Sequence, residues 1–173
     1  MIKIFKLTAC ILIVLSCSAI GFIKASSYKF RRMELENTLE LIRLLNLEIS
    51  YRKDSLNKTF ERVSALKPCW FAEVLKECGT FLSEQKPLNV SWQEALENNM
   101  SSCPLLPKDI EILKDVSMGL GRSDTQGQKK IIEPALARIE SSINEARNAE
   151  LKMGKMYRSL GIAAGIVIAV ILI

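Results

Sequence analysis

The stretch Leu35–Tyr51, LENTLELIRLLNLEISY, decides the fold. Leu35, Leu39, Ile42, Leu45 and Ile49 form one apolar stripe, and Leu41, Leu44, Leu47 and Tyr51 form a second. Spacings of three and four residues lay each stripe along one side of an α-helix, so this helix is predicted to be buried on two sides. No Pro or Gly separates it from the apolar residues just upstream, and it is expected to continue from them through Arg52. A helix that is apolar on two sides needs neighbours on both, which a helical bundle supplies.

Downstream, no segment alternates as a strand does, and helical patterns recur between helix start signals. Asp54 is placed to cap a helix carrying Leu56, Phe60, Val63 and Leu66. Pro68 suits the first turn of the next, with Trp70, Phe71, Val74, Leu75, Cys78, Phe81 and Leu82 inward. Ser91-Trp92-Gln93-Glu94 reads as a capping box opening a short helix to about Met100. Pro107 starts another, with Ile110, Leu113 and Val116 on its apolar side and Gly119 and Gly121 as stops. Asp124 then caps the last helix, which runs through Ile131, Leu136, Ile139, Ile143, Ala146, Leu151 and Met156, and Pro134 is expected to begin or kink its main section. The expected fold is all-α: an antiparallel bundle of about six helices, flanked by N- and C-terminal membrane helices.

The flanks are read from hydropathy. Residues 4–23, IFKLTACILIVLSCSAIGFI, carry one charge, Lys6, and match the ~20 residues that a bilayer span requires. A cleaved signal peptide is the rival reading. Apolar character continues through Ile20, Phe22 and Ile23, past any Ser-Cys-Ser-Ala cleavage point, and bulky Leu15 precedes Ser16-Cys17 where a lipoprotein signal wants a small residue. An uncleaved anchor is therefore favoured. Ser159–Ile173, SLGIAAGIVIAVILI, has no charge at all. At 1.5 Å per residue it reaches about 22 Å against a ~30 Å hydrocarbon core, so spanning needs a thinned bilayer and Tyr157 and Arg158 at the interface. Gly161, Gly165 and Ala169 recur at four-residue spacing, a pattern that lets membrane helices approach closely. The expected partner is the first helix, with its small residues Cys10, Cys17 and Gly21. The expected domains are 1–24, an N-terminal membrane helix; 25–158, a helical bundle; and 159–173, a C-terminal membrane helix.

Charge orients this arrangement. The 173 residues hold 24 Lys and Arg against 19 Asp and Glu, a net +5. Residues 1–33 contain six bases and residues 151–173 three, with no acid in either, so residues 34–150 are net negative at −4. The positive excess sits beside the apolar ends, which removes the main support for nucleic-acid binding. Lys24, Lys29, Arg31 and Arg32 follow the first apolar run, and Lys152, Lys155 and Arg158 precede the second. By the positive-inside rule both sets place the central domain in the cytoplasm, although Lys3 and Lys6 act against it. The same collar is suited to anionic lipid headgroups.

The sequence has no histidine, which excludes His-dependent acid/base catalysis, His-activated nucleophiles and His-containing zinc sites. Cys69, Cys78 and Cys103 form no C-x-x-C and fit neither a zinc knuckle nor a disulfide framework; they read as small, half-buried thiols in a reducing compartment. No phosphate loop, dinucleotide fingerprint or Ser-x-x-Lys appears. Glu48 with Arg52 reads as an ion pair one helical turn apart, and Glu73 with Glu77 as a solvated face. No enzyme activity, cofactor or metal is expected. Such a bundle acts through surfaces, and its turns near Tyr51–Ser55 and Arg122–Asp124 offer Tyr51, Arg52, Arg122 and Asp124 as partner contacts, with Asp124 also a plain helix cap.

Three motifs carry a resemblance that runs nearly end to end. They are Leu-Glu-Ile-Ser-Tyr (Leu47–Tyr51), Gly-Leu-Gly-Arg-Ser-Asp (Gly119–Asp124) followed by Gln128, and Lys-Met-Tyr-Arg-Ser-Leu-Gly (Lys155–Gly161). In this order and spacing the sequence resembles the stage III sporulation protein AB family of endospore-forming bacteria. That family is in turn similar to the cytoplasmic helical domains of the F-type platform proteins of type II secretion and type IV pili, which carry two such domains where this chain has one. The resemblance implies a place in the mother-cell channel complex at the membrane engulfing the forespore. It implies as partners a cytoplasmic ATPase of the same operon and other membrane subunits of that complex. The alternative is a self-assembling membrane scaffold or pore component, held by the Gly161–Gly165–Ala169 stripe, without ATPase contact.

Overall fold

The computed structural model describes the backbone of residues 2–51, 54–120 and 125–172. Among the described residues there are six α-helices and no strand. They are α1 (Ile2–Tyr51), α2 (Leu56–Ser64), α3 (Trp70–Ser83), α4 (Leu88–Asn98), α5 (Pro107–Gly119) and α6 (Thr125–Leu172), with a 3-10 turn at Met100–Ser102. The all-α class and the long apolar helices at both ends are as the sequence predicts. The chain forms two compact units: a bundle unit, Met33–Asn144, and a paired-helix unit made of Met1–Arg32 with Glu145–Ile173. Compactness thus divides the chain at other points than hydropathy, which breaks at 24/25 and 158/159.

In the bundle unit α2 packs on α3, α3 on α4 and α4 on α5. The first apolar stripe of α1 is buried at Leu35, Leu39, Ile42 and Leu45, and α6 adds Ile132, Ile139 and Ile143 to the core. At its centre Phe60 and Phe71 meet Trp92 edge-on, with ring centroids 6.0 and 5.9 Å away. Edge-to-face contact suits the ring quadrupoles and adds about 0.5–1.5 kcal/mol per pair beyond area burial. The buried indole N–H of Trp92 donates to the Leu113 carbonyl at 3.0 Å, tying α4 to α5. The second stripe of α1 is buried only in part. Leu41 is enclosed, but Leu47 and Tyr51 are 53% and 81% exposed. Periodicity identifies a face; it does not say how far along that face the neighbours extend.

Several helix starts differ from the sequence reading. Asp54 is not the cap of α2: Ser55 takes that position, and the Asp54 carboxylate accepts from the Arg62 guanidinium at 2.8 Å. Arg62 also reaches Glu48 at 2.6 Å, giving Glu48 a partner on α2, while Arg52 lies outside the described residues. Pro68 precedes α3, which opens after an extended Cys69 at φ −152°. The capping box at Ser91 is also corrected. Pro87, at φ −60° and ψ 144°, already has N-cap geometry, so α4 begins at Leu88 and Ser91 lies buried within it. Pro107 does open α5, where the buried Asp109 carboxylate accepts the Leu106 N–H at 3.0 Å. Pro134 lies inside α6 and does not begin it. Gly121 and Asp124 lie outside the described residues.

Two further devices fix α3. Its N-terminus has no side-chain cap of its own; instead buried Glu34, from α1, accepts the Phe71 N–H at 3.0 Å. A carboxylate there meets both an orphan donor and the positive end of the helix dipole. At the other end Lys86 N–H bonds the Phe81 carbonyl at 3.2 Å and Gln85 N–H bonds that of Leu82 at 3.1 Å. This is a Schellman closure, and it holds Gln85 at φ 62°, the left-handed position usually given to glycine. The Lys86 ammonium sits 4.2 Å from the Phe81 ring centroid and seals the turn.

Candidate functional site

In the paired-helix unit α1 and α6 run antiparallel, and each contains a segment long and apolar enough to cross a membrane, with mean hydropathy 1.9 and 1.4. Most of their bulky side chains face outward: Leu12, Ile23 and Ile171 are 64%, 72% and 78% exposed. Two helices can bury little of each other's surface, so the remaining apolar area requires a lipid or protein surround.

The inner faces are built from small residues. A Cβ on Gly161 would lie 2.9 Å from the Cys17 carbonyl oxygen and 3.1 Å from the Gly21 Cα. A Cβ on Gly21 would lie 2.6 Å from the Tyr157 carbonyl oxygen. These two glycines therefore mark the point where the backbones touch, and only hydrogen fits at either. One turn on, a Cβ on Gly165 would be 3.0 Å from the Val14 Cα; beyond it Ala169 is buried, with the Cys10 Sγ 3.8 Å from its carbonyl oxygen. Gly161, Gly165 and Ala169 all lie on the face that α1 covers.

The basic collar is heterogeneous. Arg32 pairs with Glu150 at 2.5 Å, linking α1 to α6, and Arg31 is buried. Arg158 lies over the Phe22 ring, 5.6 Å from its centroid. Lys24, Lys29, Lys152 and Lys155 are exposed, with no ion pair among the described residues. Tyr28 and Tyr157 stack between the helices with centroids 5.9 Å apart. The sequence places Tyr157 at the interface but gives no sign of its pairing with Tyr28, although tyrosines just beyond an apolar run and among bases are the signature of a membrane-interface belt.

Of the four residues offered for partner contact, Tyr51 is described and projects into solvent near Leu47; Arg52, Arg122 and Asp124 lie outside the described residues. The surface of the bundle unit carries ion pairs, Lys67 with Glu40 and, toward the Tyr51 end of α1, Arg62 with Glu48 and Asp54. Glu77 is more than a solvated face: it accepts from the side chains of Asn98 and Asn99 at 2.6 and 2.5 Å, joining α3 to α4. No group of His, Cys, Asp or Glu among the described residues is arranged to hold a metal. Burial pushes Cys78 up to about 12 and raises Cys69 and Cys103 as well.

The model of the family described as stage III sporulation protein AB (spore_III_AB) matches residues 6–173, from the first apolar helix to the last. The chain belongs to the stage III sporulation protein AB family. The Stage III sporulation protein AB of Bacillus subtilis (strain 168) is 26% identical over 172 residues, covering 96% of this chain and 98% of that relative. The solved structure of a Stage III sporulation protein AB (SpoIIIAB) matches with a TM-score of 0.67 at 20% identity, covering 71% of this chain and 98% of that one. The family relationship supports a role in sporulation, and the structural likeness supports the helical fold.

Proposed function

We propose that this chain is a non-enzymatic membrane platform component of the secretion-like channel between mother cell and forespore, and that its helical bundle docks a cytoplasmic ATPase. The observation that carries the reading is that α1 and α6 each contribute to both compact units, so the helices able to enter a membrane are the same ones that build the bundle core. Exposed Lys24, Lys29, Lys152 and Lys155 support an orientation with the bundle in the mother-cell cytoplasm and the apolar helices in the membrane around the forespore. Other membrane subunits of the complex are the partners for the outward apolar faces, and anionic headgroups for the collar. The scaffold alternative drew on Gly161, Gly165 and Ala169, and coverage of that face by α1 weighs against it.

The test is capture of tagged full-length chain from crosslinked sporulating cells. A charge-changing set, Tyr51→Asp, Arg52→Glu, Arg122→Glu and Asp124→Lys, is expected to abolish recovery of the operon's ATPase while the chain stays in the membrane fraction. Undiminished recovery across that set refutes docking through these residues. Recovery of membrane subunits alone, with the ATPase present in the cells, favours the scaffold.

A further inference from the structure

Beside the contact of Gly21 with Gly161, the paired-helix unit carries an open groove of about 400 Å³. Its walls are Cys17 and Ile20 from α1 and Leu160 and Ala164 from α6, and almost all of the lining is apolar. The groove exists because two glycines at the crossing supply no side chain to fill the space between the helices. One end is different. There, one turn beyond Gly21 and one turn before Gly161, the lining is Lys24 and Tyr157. No acid occurs in residues 1–33 or 151–173, and Glu150, a little earlier on α6, is engaged by Arg32. Lys24 thus borders that end of the apolar slot with its side chain, exposed and with no ion pair among the described residues. The stacked tyrosines and Arg158 lie at the same level along the helices.

We infer that this groove is a binding site for one anionic phospholipid, with an acyl chain along the Cys17–Ala164 slot and the headgroup phosphate on Lys24. An apolar slot that ends in a cation is complementary to an apolar chain that ends in an anion, and its volume is that of an ordinary small-molecule pocket. Tyr157 suits the boundary, because its ring offers an apolar face to the chain at the level of the stacked tyrosines. The inference rests on reading α1 and α6 as membrane helices. It goes beyond a diffuse basic collar by naming one base, one slot and one lipid.

The experiment uses full-length chain in mild detergent and native mass spectrometry with added palmitoyl-oleoyl phosphatidylglycerol or its phosphatidylcholine counterpart. One phosphatidylglycerol is expected to be retained about fivefold better than phosphatidylcholine, the factor that a single surface base supplies. Lys24→Gln should bring the two lipids to parity. Ala164→Phe fills the slot from an exposed position and should remove retention of both. Lys29→Gln, about 140° around α1 from Lys24, should leave the preference unchanged. Equal losses from Lys24→Gln and Lys29→Gln overturn the site in favour of the diffuse collar, and retention that survives Ala164→Phe overturns the slot. A dimer that Ala164→Phe abolishes, with no lipid bound, assigns the groove to a second copy instead. Flotation of the chain with mixed phosphatidylcholine–phosphatidylglycerol vesicles separates the two levels of failure. A chain that does not float removes the membrane reading, whereas one that floats without lipid selectivity removes only this inference.

Discussion

Glu34 gives the sharpest test of how the bundle unit holds together. It is 8% exposed on α1, and its carboxylate accepts the N–H of Phe71, whose side chain is fully buried in the first turn of α3. Cys69, at the N-cap position, makes no side-chain cap bond, so the cap comes from another helix. Glu34→Ala removes the acceptor and leaves a buried donor unmatched. A hydrogen bond to a charged group is worth about 1.5–3 kcal/mol, which sets the expected loss. Glu34→Gln keeps an acceptor and loses only the charge facing the helix dipole, a loss of about 0.5–1 kcal/mol. Urea unfolding of the full-length chain in micelles reads both, because Trp70 and Trp92 are buried in this unit and report its opening by fluorescence. The two substitutions should separate by at least ~0.5 kcal/mol. Glu34→Ala within about 0.5 kcal/mol of the parent, or Glu34→Gln as costly as Glu34→Ala, refutes capping between helices.

Other consequences follow from single positions. Gln85→Gly relieves the left-handed backbone at φ 62° and should stabilise the bundle by about 0.5–1 kcal/mol in the same urea assay. Gly161→Ile drives a side chain into the Cys17 carbonyl, 2.9 Å from its Cβ. It should cut severalfold the oxidative crosslink between Cys10 and a cysteine placed by Ala169→Cys, read by peptide mass mapping. Cys78, pushed to about 12 from an ordinary 9.0, should alkylate at least about tenfold more slowly at pH 8 than an unhindered thiol of normal acidity, because the loss of thiolate outweighs its greater nucleophilicity. The same shift carries a stability sign. The folded state holds this proton more tightly than the unfolded one, so stability is intact below pH 9 and falls as pH rises toward 12.

The helical class was legible because the apolar stripes have unambiguous spacing, and Pro107 marked its helix start correctly because proline at the first helical position loses nothing. Ser91 misled for a physical reason. A capping box is a local signature, and Pro87, four residues earlier, had already fixed the backbone for helix entry. Glu34 was invisible, since its partner is 37 residues away and nothing local distinguishes it from other acids on a long helix. The Gly161–Gly165–Ala169 face could be read from spacing, but the groove beside it depends on which residues of α1 lie opposite. Those contacts span well over a hundred residues of sequence.

The central claim is that the bundle brings a cytoplasmic ATPase to a membrane held by α1 and α6. Its most direct test is to reconstitute full-length chain in liposomes, add the purified ATPase of the operon, and float the vesicles on a density gradient. The account predicts that the ATPase rises only with vesicles containing the chain, and that the Tyr51→Asp, Arg52→Glu, Arg122→Glu and Asp124→Lys set leaves it at the bottom. An ATPase that stays at the bottom beside vesicles carrying the parent chain, folded and inserted, contradicts the account.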